Sequence, residues 1–260
     1  MIDIHSHILP NVDDGSRDIF MSIEMAKLYL QNGIKRVIAT PHYIQGSMDN
    51  TVKDNKKSLA MLNKELSREG LDLEVVLGNE IYLSISTVND ILDNKVSTLN
   101  GTRYVLIELP MYDIPLYMEN VLYDLQIEGF VPIIAHPERN TKIIEDPNIL
   151  YNYINKGVLG QLNLSSLEGM YGSKVKSTAE ILLKHKMIHF VGTDAHRNRK
   201  RSPNVKKGLE ILESLVDKKD FQNISYRNGR NVWEDKLIKV EDPILYEPKF
   251  KGLFNLFKRK

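Results

Sequence analysis

Short apolar runs alternate with longer amphipathic stretches along most of the chain, and this alternation restricts the fold more than any other feature. The apolar runs are rich in Val and Ile and about five residues long, as buried parallel strands are. They predict seven strands, at 2–5, 36–40, 73–78, 104–109, 131–136, 158–163 and 188–192. Because regular alternation of strands and helices produces a parallel sheet, we predict an α/β protein.

The segments between the strands carry apolar residues at helical spacing. Ile19, Ile23, Ala26 and Leu30 share one helical face, and Gly33 follows them as a stop signal. Five further helices are predicted, at 50–68, 115–128, 147–156, 174–184 and 205–216.

The seven strand–helix units follow one another without a repeat, a linker or a charge block. This continuity predicts one domain over residues 1–235 and a C-terminal extension at 236–260 that is not a separate domain. The number of units favours a closed or nearly closed barrel slightly over an open doubly wound sheet, although the pattern alone does not establish closure. No glycine-rich phosphate loop opens a helix, which argues against a nucleotide-binding fold.

Composition excludes several classes of function. The 260-residue chain has no cysteine, which excludes a disulfide framework, a thiolate metal site and a cysteine nucleophile. Its 35 Lys and Arg residues nearly balance 34 Asp and Glu residues, so no overall positive field attracts nucleic acid. The sequence contains no membrane-spanning apolar run and no signal peptide. We therefore expect a cytoplasmic protein that does not bind nucleic acid.

Histidines and carboxylates gather at or just after the carboxyl ends of six of the seven predicted strands. In chain order they are His5, His7, Asp14, His42, Glu80, Glu108, His136, Asp194 and His196. In a barrel these strand ends face one mouth, which is where active sites are built. The two remaining histidines, His185 and His189, lie elsewhere in the pattern and are given no role.

This set of ligands predicts a metal site. Imidazoles and carboxylates without thiolates suit hard or borderline divalent ions such as Mn²⁺, Fe²⁺ or Zn²⁺. Five imidazoles and four carboxylates exceed what one ion needs, so two or three adjacent ions with a bridging carboxylate are the simplest explanation. Such clusters activate a shared water and hold both oxygens of an in-line displacement.

Each feature taken alone has a plainer explanation. A His-x-His pair can simply pack in a core, Glu108 can be a buried ion-pair partner, and Asp13-Asp14-Gly15 can be an ordinary turn. It is their joint placement at one set of strand ends that favours the metal site.

Six motifs carry all of these residues except Glu108: His5-Ser6-His7-Ile8-Leu9-Pro10, Asp13-Asp14-Gly15, Thr40-Pro41-His42, Gly78-Asn79-Glu80, Ala135-His136-Pro137-Glu138-Arg139 and Asp194-Ala195-His196. In this order and spacing they resemble the polymerase-and-histidinol-phosphatase (PHP) superfamily. From Met1 to about Trp233, the chain looks like the CpsB-type protein-tyrosine phosphatases of Gram-positive capsule and exopolysaccharide operons. The resemblance implies a distorted (β/α)7 barrel of the PHP type.

The resemblance also implies three bound metal ions, usually manganese, with iron or zinc as alternatives. The first ion would be held by His5, His7, Glu80 and Asp194, the second by Glu80, Glu108 and His136, and the third by Asp14, His42 and His196. Arg139 would bind phosphate, and a second arginine would lie a few residues beyond the Asp-Ala-His motif. Arg201 has the best register for that role, although Arg197 and Arg199 compete for it. The plainer explanations are a solvated basic loop at 197–201 and a loop-capping role for Arg139.

The implied reaction is hydrolysis of phosphotyrosine by direct attack of a metal-bound hydroxide, without a phosphoenzyme. A phenol of pKa about 10 leaves with little help from a proton donor, which favours phosphotyrosine over phosphoserine. The implied partner is the phosphotyrosine tail of a membrane-associated bacterial tyrosine kinase that regulates capsule or exopolysaccharide synthesis. That partner would bring the protein to the inner face of the membrane. Whether the chain forms an oligomer is left open.

The end of the chain is basic and aromatic. Phe250, Leu253, Phe254 and Phe257 have helical spacing among lysines and arginines. Residues 249–260 would suit a short amphipathic helix on an anionic membrane. The alternative, which we favour, is that these aromatic residues dock on the barrel or on another subunit.

Three other functions stay open. Another PHP phosphoesterase, acting on histidinol phosphate, a nucleotide or another small molecule, would have the same metal site. An amidohydrolase also begins with His-x-His, but it would need Lys or His where Glu108 stands. A non-catalytic regulator that binds a kinase tail is the third, and nine intact ligands argue against it.

Overall fold

The computed structural model describes residues 1–248 and confirms an α/β architecture with parallel strands. Over these residues the strands are β1 (Asp3–Ser6), β2 (Arg36–Ala39), β3 (His42–Tyr43), β4 (Glu74–Leu77), β5 (Glu80–Tyr82), β6 (Tyr104–Glu108), β7 (Val131–Ala135), β8 (Leu159–Asn163) and β9 (Phe190–Gly192). They form one sheet in the order β1-β2-β4 and a second in the order β3-β5-β6-β7-β8-β9. All strand pairs in both sheets are parallel.

Two stretches of chain pass from the first sheet into the second. Strands β2 and β3 are separated at Pro41, and β4 and β5 are separated at Gly78 and Asn79. Pro41 has no N–H to donate to a ladder, but its carbonyl accepts from the Glu80 N–H at 3.2 Å and from the Asn79 side chain at 2.9 Å. The two stretches therefore stay together across the break. The sequence predicted each stretch as one shorter strand, because Pro41 and Gly78 resemble strand ends.

The first and last strands meet at a seam. The Asp194 N–H donates to the His5 carbonyl at 2.9 Å, and the His7 N–H donates to the Ala195 carbonyl at 2.9 Å. Below them, the buried Asp3 carboxylate accepts from the Thr193 N–H at 3.0 Å across 190 positions of sequence. The seam brings the chain after β1 beside the chain after β9.

Helices occupy most of the connections between strands. In the described residues they are α1 (Ile19–Gln31), α2 (Val52–Arg68), α3 (Thr87–Leu92), α4 (Met118–Ile127), α5 (Thr141–Glu145), α6 (Asn148–Ile154), α7 (Leu164–Leu167), α8 (Ser173–Lys184), α9 (Lys206–Leu215), α10 (Lys218–Gln222) and α11 (Asn228–Trp233). The six predicted helices match α1, α2, α4, α6, α8 and α9 to within three residues at each end. Of the five that were missed, α3, α5 and α7 have four to six residues, too few for a periodic pattern to be visible. The other two, α10 and α11, are joined by a π-helix at Asn223–Arg227.

An apolar cluster fills the amino-terminal side of the strands. It joins six strands to the last helix through Ile2, Ile4, Ile38, Leu99, Tyr104, Leu106, Ile133, Ala135, Leu159, Phe190 and Val232. Gly229 of α11 lies so close to β1 that a Cβ there would be 3.2 Å from the Ile2 carbonyl oxygen. Helix α11 thus packs against the amino end of β1, opposite the carboxyl ends that carry the predicted ligands.

Residues 236–248 contain no helix or strand but lie against the rest of the structure. Tyr104 donates to the Lys236 carbonyl at 2.6 Å, and the Ile244 N–H donates to the His185 carbonyl at 2.8 Å. Asn148 and Tyr246 exchange two hydrogen bonds, of 2.9 and 3.0 Å. The predicted membrane or docking tail at 249–260 lies outside the described residues.

None of the helices within residues 1–248 combines the length and the apolar character needed to cross a bilayer.

The buried His189, just before β9, should make the free energy of unfolding depend on pH. Its Nδ1 accepts from the Gly160 N–H at 3.1 Å, and burial lowers its pKa to about 4. An unfolded histidine has a pKa of about 6.5, so between these values the unfolded chain binds more protons than the folded one. Stability should therefore fall as the pH drops from about 6.5 to about 4.

Replacing His189 with Gln should remove about 2 kcal/mol of the stability that the protein loses between pH 7 and pH 4.5. Urea unfolding at pH 7 and at pH 4.5 gives the free energy of unfolding at each pH, and the difference between these two values is the acid-dependent loss. His185→Gln, a histidine outside this buried position, is the matched control and should keep the wild-type difference. If His189→Gln kept it as well, the assignment of this acid sensitivity to His189 would be wrong.

Candidate metal centre

The nine predicted metal ligands lie together at the carboxyl ends of the strands. Their donor atoms form three groups, each within 4.8 Å: His5, His7, Glu80 and Asp194; His7, Asp14, His42 and His196; and His42, Glu80 and Glu108. His136 joins them, with its Nε2 at 2.9 Å from one Glu80 oxygen and 3.7 Å from a Glu108 oxygen. Glu80 lies at the centre of the set. Which residue holds which ion stays a prediction.

Two of these residues leave their strands through a left-handed backbone. His136 follows β7 with φ of 32°, and Asp194 follows β9 with φ of 50°. Residues other than glycine seldom adopt this conformation, which costs on the order of 1–3 kcal/mol and occurs mainly at functional sites. Both turns deliver a side chain to the centre, since His136 contacts Glu80 and Asp194 lies 3.5 Å from His5 Nε2.

The Asp13-Asp14-Gly15 loop lies directly on His7. A Cβ at Gly15 would be 2.4 Å from the His7 Cβ, so only glycine permits this approach. The loop brings Asp13 to His7 Nδ1 at 2.6 Å, and the same Asp13 oxygen accepts from the His42 N–H at 3.0 Å. Asp14 lies 3.3 Å from His196 Nε2. Asp13 therefore supports two predicted ligands, His7 and His42. This role was not predicted, although the pair of aspartates at 13 and 14 was a signal for it.

Hydrogen bonds on the outer side of His5 and His7 determine which nitrogen carries the proton. His5 Nδ1 lies 2.7 Å from the Gln161 side-chain oxygen, and His7 Nδ1 lies 2.6 Å from the Asp13 carboxylate. Both partners accept, so both Nδ1 atoms donate. In the neutral rings, the two Nε2 atoms then carry lone pairs, and they lie 3.3 Å apart. A cation among them would relieve this repulsion. A second proton on either ring would also do so: although burial opposes it, the nearby carboxylates raise the pKa of both imidazoles.

The central carboxylate leads to the same conclusion. Glu80 Oε2 has three imidazole nitrogens close to it, at 3.2 Å (His5), 3.2 Å (His7) and 3.0 Å (His42). Even so, this buried oxygen has no aligned hydrogen-bond partner among residues 1–248. Donor atoms that converge without forming hydrogen bonds fit a shared divalent cation.

Negative charge is concentrated at this centre. Burial, followed by the neighbouring Glu80 and Asp194 carboxylates, raises the pKa of Glu108 to about 8. A nearby cation would favour the ionised carboxylate instead. The donor set, its crowding and its unsatisfied atoms all fit a site for more than one divalent ion.

Two arginines meet at the Asp194 carboxylate. Arg139 donates from Nη1 to Oδ2 at 3.1 Å, and Arg201 donates from Nη2 to both oxygens at 2.7 Å. Arg197 bonds the Asp14 carbonyl instead, at 3.2 Å, and Arg199 is exposed. The structure thus places Arg139 and Arg201 together beside a predicted metal ligand. Paired guanidinium groups can bind an oxyanion through several N–H donors.

Strand β8 supports the centre without supplying a predicted ligand. Gln161 accepts from His5 and donates to the Asn163 side chain at 3.0 Å, and Asn163 donates to Asp194 at 2.7 Å. Both side chains are fully buried. Partners of this kind orient metal ligands, and losing one typically costs about 10- to 100-fold in metal affinity or activity. Two amides on one face of a buried strand were the signal that could have identified them.

Comparisons with known proteins agree with this geometry. A family model for capsular polysaccharide synthesis, CpsB/CapC, matches residues 1–234. The tyrosine-protein phosphatase YwqE of Bacillus subtilis is 41% identical over 213 residues, which cover 82% of this chain and 84% of that protein. The tyrosine-protein phosphatase CpsB of Streptococcus pneumoniae is 26% identical, over 92% of this chain and 100% of that protein.

The fold also matches a solved structure. It comes from a crystallographic study of YwqE from Bacillus subtilis and CpsB from Streptococcus pneumoniae, described as unique metal-dependent tyrosine phosphatases. The TM-score is 0.91 at 36% sequence identity, and the match covers 95% of this chain and 100% of that chain.

Proposed function

The chain belongs to the CpsB/CapC family of capsular polysaccharide synthesis, and we propose that it is a metal-dependent protein-tyrosine phosphatase. The observation that carries this proposal is the convergence of imidazole and carboxylate donors beside two arginines. A multinuclear cation site next to paired guanidinium groups suits hydrolysis of a phosphate ester. The related phosphatases from Bacillus and Streptococcus support tyrosine phosphate as the substrate.

We further propose three metal ions, with Mn²⁺ as the native metal and iron or zinc as alternatives. The assigned ligands are His5, His7, Glu80 and Asp194 for the first ion, Glu80, Glu108 and His136 for the second, and Asp14, His42 and His196 for the third. The unsatisfied donor atoms of Glu80 and His196 support cations at these positions.

The parallel pairings and the seam between β1 and β9 support a distorted (β/α)7 barrel over residues 1–235, with 236–260 as its extension. In such a barrel the predicted ligands surround the mouth at the carboxyl ends of the strands.

The chain's own residues would bind and orient the phosphoryl group. When bound, divalent ions supply an activated water and neutralise charge on the phosphate oxygens. Arg139 and Arg201 both bind Asp194 and keep further N–H groups, which would bind those oxygens and offset the charge of the transition state. Asp194 keeps both guanidinium groups in place through charged hydrogen bonds. The phenol, with a pKa of about 10, would leave without a dedicated proton donor.

The proposed substrate is the phosphotyrosine tail of a membrane-associated bacterial tyrosine kinase that regulates capsule or exopolysaccharide synthesis. This substrate would place a cytoplasmic protein at the inner face of the membrane. Residues 249–260 would dock on the barrel or on another subunit, which we favour, or contact the membrane, and flotation with liposomes, with and without these residues, would distinguish the two.

A comparison of substrates tests the proposed function. Manganese-loaded protein should hydrolyse a phosphotyrosine peptide with a higher kcat/KM than histidinol phosphate or a nucleoside monophosphate, and EDTA should abolish the activity. Metal analysis should find more than one ion per chain. A preference for histidinol phosphate or a nucleotide would contradict the tyrosine assignment. Tight binding of a kinase tail without hydrolysis would instead support a regulatory protein.

A further inference from the structure

Tyr171 lies in the loop between α7 and α8, with its ring over the Arg139 guanidinium. The Arg139 Cζ is 4.5 Å from the centre of the ring. Gly169 and Gly172 flank this part of the loop with φ of 83° and 96°, and the Gly172 N–H donates to the Gly169 carbonyl at 3.0 Å. These values lie in the left-handed region that glycine adopts at little cost. The turn leaves Met170 half exposed and directs Tyr171 to Arg139.

The Tyr171 hydroxyl is buried but has no hydrogen-bond partner among residues 1–248. Buried hydroxyl groups are nearly always satisfied, so such an exception calls for an explanation. Arg201 Nε is also buried and unpaired within these residues. Arg201 binds the same Asp194 carboxylate as Arg139, the residue that lies under the Tyr171 ring.

Three groups with unused N–H or O–H donors are therefore gathered around Arg139 and the Asp194 carboxylate. Arg139 and Arg201 each use one nitrogen of the guanidinium group to bind Asp194, and each guanidinium has further N–H groups. The Tyr171 hydroxyl adds a neutral donor beside them. A ligand that satisfies all three needs several acceptor oxygens and negative charge, which describes a phosphoryl group.

We propose that Tyr171 is a substrate-binding residue whose hydroxyl donates to a phosphoryl oxygen held by Arg139 and Arg201. Its ring has a second effect, because it keeps the Arg139 guanidinium in a fixed plane through a cation–π contact. This inference rests on the proposed phosphatase function, and it adds a residue that no motif of the sequence marked.

Two substitutions separate the two effects. Tyr171→Phe keeps the ring and removes only the hydroxyl, so it should weaken binding of inorganic phosphate about 10-fold and lower kcat/KM for a phosphotyrosine peptide by a similar factor. Tyr171→Leu also removes the ring and should lower kcat/KM about fivefold further, because Arg139 is then less well oriented. Neither substitution should change the metal content.

Calorimetric titration of the manganese-loaded protein with inorganic phosphate measures binding independently of turnover. Tyr123→Phe, which removes a tyrosine hydroxyl from the exposed face of α4, is the matched control and should bind phosphate like the wild type. Equal phosphate affinity for Tyr171→Phe and wild type would overturn the proposal, even if the melting temperature of the variant fell.

The same measurements distinguish this proposal from the proposed function. If wild type hydrolyses the peptide and Tyr171→Phe matches it in both assays, Tyr171 is wrongly assigned while the phosphatase function stands. If wild type binds phosphate through Tyr171 but hydrolyses no phosphotyrosine, the assignment of Tyr171 stands and the phosphatase function is wrong.

Discussion

Replacing Glu80 with Gln should lower kcat on the order of 1,000-fold and remove bound metal. One Glu80 oxygen lies within 3.2 Å of three imidazole nitrogens, and the other lies 2.9 Å from His136. Gln preserves the size of the side chain but removes the charge that two groups of ligands share. Metal-ion catalysis contributes several kcal/mol, and each 1.4 kcal/mol corresponds to about tenfold in rate.

Steady-state kinetics with metal analysis of the purified variant checks this prediction. Glu128→Gln, at the exposed end of α4, removes the same charge away from the centre and should leave both readouts unchanged. A Glu80→Gln protein that kept its metal and more than a tenth of the wild-type kcat would show that Glu80 does not bridge the ions.

Replacing Arg139 with Lys should lower kcat/KM by about 100- to 1,000-fold without loss of metal. Arg139 binds Asp194, lies under the Tyr171 ring and still has N–H groups for substrate. Lysine keeps the positive charge but lacks the planar fork of donors, so it cannot make all of these contacts at once.

Matched substitutions show which arginine besides Arg139 contributes to phosphate binding. Arg201→Lys should show a similar loss because it also binds Asp194, whereas Arg199→Lys should behave like wild type because its side chain is exposed. Comparable losses in all three variants would show that the loss does not depend on contact with Asp194. Full activity of Arg139→Lys would exclude Arg139 from the phosphate site.

The placement of the candidate site could be predicted because strand direction alone determines it. Parallel strands present their carboxyl ends at one edge, so residues as distant in sequence as His42 and His196 were expected to meet. Their grouping around Glu80 follows from that rule. Register favoured Arg201 over Arg197 and Arg199 in the same basic run, and side-chain contacts separate the first two further, since Arg201 binds Asp194 and Arg197 binds the Asp14 carbonyl.

The supporting residues could not be predicted for a different reason. Gln161 and Asn163 lie in a strand whose neighbours are apolar, and their partners lie far away in sequence. Asp13 resembled one half of an ordinary turn. The left-handed backbone at His136 and Asp194 also had no signal, because local preference disfavours it and only the surrounding contacts hold it in place.

The seam has a consequence for biosynthesis. His5 and His7 emerge from the ribosome early, but their partners Asp194 and His196 are translated nearly last in the domain. A nascent chain therefore has no complete cation site until β9 is free to pair with β1. Such distant pairings close slowly, because a long loop must lose its entropy first. Cation loading is then a late event in maturation, and polypeptides truncated before β9 would be made without their metal.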